Sequence, residues 1–147
     1  MEDSYAKKKL PYNLNAEKSV IGSMLMDRDA IVDASDMLTK EDFYYGQYGI
    51  LFENMVELFK EGKAVDIVTL KNKLEENNVP DEVISISAIA DIMDAVPTSV
   101  NAKHYAEIVA DKSVLRKTIK LCEEVEKDCY LDSEGVDALL ELSLIHI

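Results

Sequence analysis

The chain has 147 residues, 48% of them hydrophobic, which is enough for one domain with a single core, or for one domain with an extension. Its 16 basic and 29 acidic residues give a net charge of −13. Nucleic-acid binding depends on clustered Lys and Arg, so this balance argues against it and favours solubility as the role of the charge. The 5 Gly and 3 Pro, with abundant Leu, Ile, Ala, Glu and Lys, favour helices over strands.

The first helix is predicted to follow a flexible N-terminal arm at residues 1–13, which lacks the apolar run of a signal peptide. Asn15 is expected to cap this helix, and Glu17 lies in its first turn, where the helix dipole favours an anion. Gly22 and Ser23 would let another backbone approach closely. The apolar stripe at helical spacing is Val20, Ile21, Met24 and Leu25.

A short second helix is predicted over residues 26–38, and a third follows it. Thr39 and Asp42, three residues apart, approximate a capping box and are expected to open this third helix. Gly62 is expected to end it, because glycine adopts the left-handed conformation that commonly follows a helix.

Two further helices are predicted before residue 97. Asp66 is the expected cap of the first, which runs to Asn77. In the second, residues 83–86 alternate as a strand would, whereas the residues from Ile86 onward follow helical spacing. A lone strand would have no partner in this chain, so a helix is the favoured prediction.

A long helix is predicted from residue 99 to 130, where Gly and Pro are absent. It carries one apolar face, and Val114, Leu121 and Val125 add a second strip in its later half, which suggests packing on two surfaces. After a short turn, a returning helix completes a helical hairpin. The chain stops inside that helix, and residues 143–147 are expected to be a non-native tail on a truncated reading frame.

The predicted architecture is therefore all-α, with a small helical bundle followed by a long C-terminal helical hairpin whose second helix is truncated. The predicted divisions are a flexible arm at 1–13, a globular bundle at 14–98, a hairpin at 99–142 and the tail at 143–147.

No motif for catalysis, cofactor binding or metal binding is present. The sequence lacks a P-loop, G-x-G-x-x-G, C-x-x-C and H-E-x-x-H. His104 precedes Glu107 and Asp111 on one predicted helix, but no second ligand set joins them, so a surface histidine is the favoured interpretation. His146 falls in the expected non-native tail.

Two cysteines, Cys122 and Cys129, would lie about 10 Å apart along one helix, too far for a disulfide. Reduced core or interface cysteines suit a cytoplasmic protein. No apolar run approaches the roughly 20 residues that a membrane span requires.

Three stretches together resemble the N-terminal domain of bacterial replicative DNA helicases of the DnaB type. These stretches are "LPYNLNAEKSVIGSMLMD", "LTKEDFYYGQYGILFENMVELFKEGKAVDIVTLKNKLEENN" and "AVPTSVNAKHYAEIVADKSVLRKTI". The resemblance covers roughly residues 10 to 142. It implies self-association through the hairpins, as dimers within a hexameric ring, docking of primase on the hairpin, and contact with a helicase loader. It places ATP, Mg and DNA translocation in a second domain that this sequence lacks, with little direct DNA binding by the first.

The predicted interface for self-association and primase docking consists of apolar hairpin positions and one cation. The alternative is that the apolar positions form only the internal core of the hairpin. Arg116 could pair across an interface, although a solvated charge is the favoured interpretation. The predicted interface residues are Ile108, Leu115, Arg116, Ile119, Cys122, Val136, Leu139 and Leu140.

Two other classes of function stay open from the sequence. One is a freestanding helical adaptor, such as a helicase loader or an anti-helicase factor, which predicts that residue 147 is a true terminus. The other is an enzyme with a helical carboxylate site, which predicts a stoichiometric transition metal in the purified protein.

Overall fold

The computed structural model describes residues 9–96, 101–131, 135–137 and 140–141. Within those ranges every regular element is helical, which confirms the predicted all-α fold. A 3-10 turn at Lys40–Asp42 stands between the second and third helices, and residues 136–137 and 140–141 are also helical. The helices are α1 (Leu14–Met26), α2 (Arg28–Met37), α3 (Gly46–Lys60), α4 (Ile67–Glu76), α5 (Ile86–Ala95) and α6 (Ala102–Leu131).

Contacts divide the chain into two compact units. The bundle unit is Tyr12–Asp111, and the terminal unit combines the residues up to Pro11 with those from Lys112 onward. Helix α6 is continuous through the division, so its first turns belong to the bundle unit and its later turns to the terminal unit. The predicted domain boundaries, including the one between residues 98 and 99, stay predictions.

Two predicted helix starts are wrong. Asn13, not Asn15, caps α1, and its side-chain oxygen accepts from the amide of Ala16 at 2.9 Å. The amide of Thr39 donates to Asp42 at 2.8 Å as predicted, but this capping box closes the 3-10 turn and not α3. The extended backbone of Phe43 interrupts the helical path, so α3 begins at Gly46.

The starts of the two later helices, α4 and α5, are set by side chains that cap their first amides. Asp66 and Thr69 exchange reciprocal hydrogen bonds of 2.9 Å at the start of α4, which confirms the predicted cap. Ser85 caps α5 by accepting from Ala88 at 3.1 Å. Residues 83–85 therefore lie before α5 in a turn, and they are neither strand nor helix.

The core of the bundle unit is built around α1, which packs against α2, α3 and α5. Val20, Ile21 and Met24 of its predicted stripe are almost completely buried, and each contributes about 1.5–3 kcal/mol through removal from water. The predicted close approach at Gly22 is also present. A Cβ atom there would lie 2.5 Å from Cγ2 of Val96, so the glycine lets the end of α5 pack tightly on α1.

Candidate interaction surface

The later half of α6 carries exposed apolar side chains within the terminal unit. Leu115 is 48% exposed and Ile119 is 37% exposed, and Cys122 is exposed one turn further along. Their spacing of four and then three residues puts them on one side of the helix. We call Leu115, Ile119 and Cys122 the α6 stripe. The α6 stripe is therefore an exposed apolar surface of the kind that binds a protein partner.

The remaining predicted interface positions differ among themselves. Ile108 is partly buried against the core of the bundle unit, so much of its side chain already has a packing role. Val136 and Leu140 are exposed. Leu139 lies outside the described residues. Both cysteines are exposed residues, so the core role that the sequence left open for them is wrong.

Arg116 is buried, contrary to the expected solvated charge. Its guanidinium group donates to the carbonyl oxygen of Pro11 at 2.9 Å, and only 7% of the residue is exposed. A buried guanidinium requires acceptors for its donors, and a backbone carbonyl supplies one without adding a second charge. Arg116 therefore ties two segments that are 105 residues apart in the sequence.

Glu17 is a structural residue whose role the sequence did not reveal. Its carboxylate is buried and accepts from the amides of Tyr44 and Tyr45, at 3.0 and 3.1 Å. These donors lie just before α3, where unpaired amides and the helix dipole favour an anion. The available signal was the position of Glu17 on the apolar stripe of α1, where an unpaired carboxylate would be costly.

A cluster of charges joins the end of α3 to α4. The ammonium group of Lys73, in a residue that is 8% exposed, lies near the carboxylates of Glu57, Glu61 and Glu76. The hydrogen bond from Lys73 lowers the pKa of Glu61, and Lys63 lowers it further. The same hydrogen bond raises the pKa of Lys73. These ion pairs link the end of α3 to α4.

The candidate histidine lies on the surface. His104 is exposed on the first turn of α6, with its ring centroid 5.9 Å from that of Tyr105, as the surface interpretation predicted. Across the described ranges no group of three or more His, Cys, Asp or Glu side chains could hold a metal ion. In those same ranges, no helix is both long enough and apolar enough to cross a membrane.

Comparison with known proteins decides the family. The profile of the DnaB-like helicase N terminal domain matches residues 9–111, which is well over half of the chain. The chain belongs to this family. The match includes all of α1 to α5 and the bundle part of α6, so the resemblance seen in the three sequence stretches is confirmed.

Relatives of this DnaB-like domain are much longer proteins. The chain is 33% identical over 141 residues to the replicative DNA helicase DnaB of Geobacillus stearothermophilus, covering 96% of this chain and 31% of that relative. It is 35% identical over 130 residues to the replicative DNA helicase DnaC of Bacillus subtilis, covering 88% of this chain and 29% of that relative. The chain thus spans about a third of the length of these curated relatives.

Solved structures share the fold. The N-terminal domain of DnaB helicase from Mycobacterium tuberculosis superposes with a TM-score of 0.88 at 28% identity, covering 95% of this chain and 98% of that one. The corresponding domain from Helicobacter pylori, described together with its interactions with primase, has a TM-score of 0.67 at 23% identity. It covers 79% of this chain and 90% of that one.

Proposed function

We propose that this chain is the oligomerisation and primase-docking domain of a replicative DNA helicase that acts in the primosome during DNA replication. ATP hydrolysis, Mg binding and DNA translocation belong to a separate domain, and a helicase loader is a further expected partner. Family membership and the lack of a P-loop in this sequence support the proposal. The observation that carries it is the exposed α6 stripe in the terminal unit.

The proposed domain works by burying apolar surface and performs no chemistry itself. Leu115 and Ile119 offer branched apolar side chains that another helix can cover, and removal of such surface from water drives association. The net charge of −13 keeps separate copies soluble, so association depends on an apolar contact strong enough to overcome the repulsion.

Primase docking is testable by calorimetry with the C-terminal domain of the primase from the same source. We expect the full chain to bind, and a variant with Leu115→Lys and Ile119→Lys to lose binding, because it places two charges in the apolar contact. The control is Val68→Lys, which adds one charge at an apolar residue on α4 that is 76% exposed. Absence of binding by the parent, or equal binding by both variants, contradicts the docking proposal.

Self-association is testable by sedimentation equilibrium over a wide range of concentrations. We expect weak dimers that the same Leu115→Lys and Ile119→Lys variant abolishes, whereas Val68→Lys retains them. A strictly monomeric parent at high concentration opposes the oligomerisation role of this chain.

The DNA-related part of the proposal has two separate tests. Fluorescence anisotropy with single-stranded DNA at physiological salt should show little binding, because few clustered cations face the phosphates; micromolar affinity contradicts this. Sequencing the source gene past codon 147 should reveal a P-loop ATPase domain that is in frame once the junction at the expected non-native tail, residues 143–147, is corrected. A stop codon there favours the freestanding adaptor.

A further inference from the structure

A groove of about 560 Å³ lies in the bundle unit between the end of α2, the 3-10 turn and one face of α3. Its floor is apolar and is formed by Leu38, Phe52 and Val56. Leu38 and Phe52 are core residues, whereas Val56 is partly buried at the edge of the core. The size of the groove suits one or two bulky apolar side chains from another molecule.

The rim of the groove is predominantly acidic. Four carboxylates and two ammonium groups line it, and one of those ammonium groups, on Lys40, lies 3.2 Å from Glu53. Asp36 and Glu41 are exposed, and they form no ion pair with any side chain in the described ranges. The lining charges are Asp36, Glu41, Glu53, Glu57, Lys40 and Lys60.

We propose that this groove docks a basic amphipathic segment of a partner protein. An apolar side chain of that segment packs on the exposed part of Val56, and its Lys or Arg side chains face Asp36 and Glu41. Charge complementarity selects this occupant. A second copy of this chain would bring another net charge of −13 to an acidic rim, and a nucleic acid would bring phosphates.

This docking goes beyond the proposed function, because every lining residue lies in the bundle unit and none belongs to the α6 stripe. The two surfaces can therefore be tested independently.

The test uses the full chain and a synthetic peptide of about four helical turns, with leucine on one face and lysine on the other. Binding is followed by anisotropy and by amide chemical shifts. A second peptide with glutamate in place of lysine reports whether charge is required. We expect the lysine peptide to bind, to shift the amides of Phe52 and Val56, and to weaken as salt rises. The glutamate peptide should not bind.

Two charge-reversal variants, one in the groove and one outside it, test whether the peptide binds in the groove. The groove variant combines Asp36→Lys with Glu41→Lys. Its control combines Asp94→Lys with Glu82→Lys, which changes the net charge equally on exposed residues outside the groove. Asp94 stands one residue before the end of α5, as Asp36 does in α2, so the helix-end environment is matched. We expect roughly tenfold weaker binding by the groove variant and parental binding by the control.

Several outcomes would overturn the proposal. They are equal affinity of both variants, shifts confined to other residues, or no binding by the lysine peptide. A parental dimer that the groove variant alone dissociates would assign the groove to a second copy, and binding of a nucleic-acid oligomer that competes with the peptide would assign it to phosphates. Circular dichroism melting of both variants checks that either result comes from folded protein.

Discussion

The bundle unit and the terminal unit differ in whether a whole apolar stripe of a helix is buried. In the bundle unit, the stripe of α1 is buried by three neighbouring helices, and Leu70 of α4 is fully buried. In the terminal unit, Leu115 and Ile119 remain substantially exposed, and so do Tyr130 and Val136. The bundle unit buries this stripe and leaves single apolar residues such as Val68 exposed, whereas the described residues of the terminal unit leave the α6 stripe uncovered.

This contrast separates stability from association. The free energy of unfolding should depend mainly on positions in the bundle unit, because buried side chains lose most when truncated. Association should depend mainly on the α6 stripe, because only exposed apolar area is available to another molecule. Each variant below tests this division, beginning with the largest expected effect.

The same substitution in the two units gives the most direct comparison. Leu70→Ala removes a fully buried side chain and should lower the free energy of unfolding by about 2–5 kcal/mol. Leu115→Ala, at a residue that is 48% exposed, should change it by less than about 0.5 kcal/mol in dilute solution. Urea unfolding measures both. If both variants lose the same free energy of unfolding, the α6 stripe is already part of a core. The proposed difference in burial between the two units would then be wrong.

Removing the buried carboxylate of Glu17 should lower the free energy of unfolding nearly as much as Leu70→Ala does. Glu17→Ala leaves the amides of Tyr44 and Tyr45 without this acceptor. Each amide that water does not reach should lower the free energy of unfolding by about 1–3 kcal/mol. Glu17→Gln retains one acceptor oxygen and should recover part of the loss. Thermal melting of the two variants checks the order, and a Gln variant less stable than the Ala variant would contradict the acceptor role.

Two glycines of α3 form a third matched pair. A Cβ atom at Gly49 would lie 2.6 Å from the carbonyl oxygen of Lys40, so Gly49→Ala should destabilise the bundle unit by about 1–3 kcal/mol. A Cβ at Gly46 meets nothing within 4 Å, so Gly46→Ala should be neutral or slightly stabilising. If urea unfolding gives both variants the same stability, the 3-10 turn does not pack on α3 as tightly as the structure indicates.

The smallest expected effect is a pH dependence from the pair of Glu61 and Lys73. The pKa of Glu61 is lowered from 4.5, so its contribution is complete above pH 4.5 and is lost as pH falls through the lowered value. The pKa of Lys73 is raised from 10.5, so its contribution is complete below pH 10.5 and is lost as pH rises through the raised value.

Both contributions are therefore present near neutral pH, and Lys73→Met should remove them. The Tm of the parent should exceed that of Lys73→Met at pH 7 by a few degrees at most, because Glu61 is solvent-exposed. This gap should narrow as pH falls below 4.5. Lys60→Met, which removes the last lysine of α3 instead of Lys73 of α4, is the control and should show no such narrowing. A gap that stays constant down to acid pH would exclude this ion pair as its cause.

The sequence predicted which helices form better than it predicted the residues at which they begin. The capping pair of Asp66 and Thr69 is local, because three residues suffice to satisfy the first amides of α4, and it was recognisable in the sequence. The start of α3 was not recognisable, because a second break at Phe43 depends on the buried packing of its ring beside Phe52. Asn13 and Asn15 are chemically equivalent caps, and only the backbone of the folded chain chooses between them.

The candidate surface was predictable in part for the same reason. The periodicity of Leu115 and Ile119 indicated an apolar face, but periodicity does not tell whether the same chain or another covers it. The groove next to Phe52 was invisible in the sequence, since its floor and rim come from segments separated by the 3-10 turn.

The sequence by itself determined that the chain is helical, that it lacks a nucleotide-binding loop, and that it belongs with the DnaB-like domains. These properties depend on composition, periodicity and short motifs, which are local. The tertiary structure alone decided that Glu17 supports the start of α3 and that Arg116 binds the carbonyl of Pro11. It also decided that the α6 stripe stays exposed. These facts depend on which distant segments meet, because burial and partner choice arise only when the chain is packed.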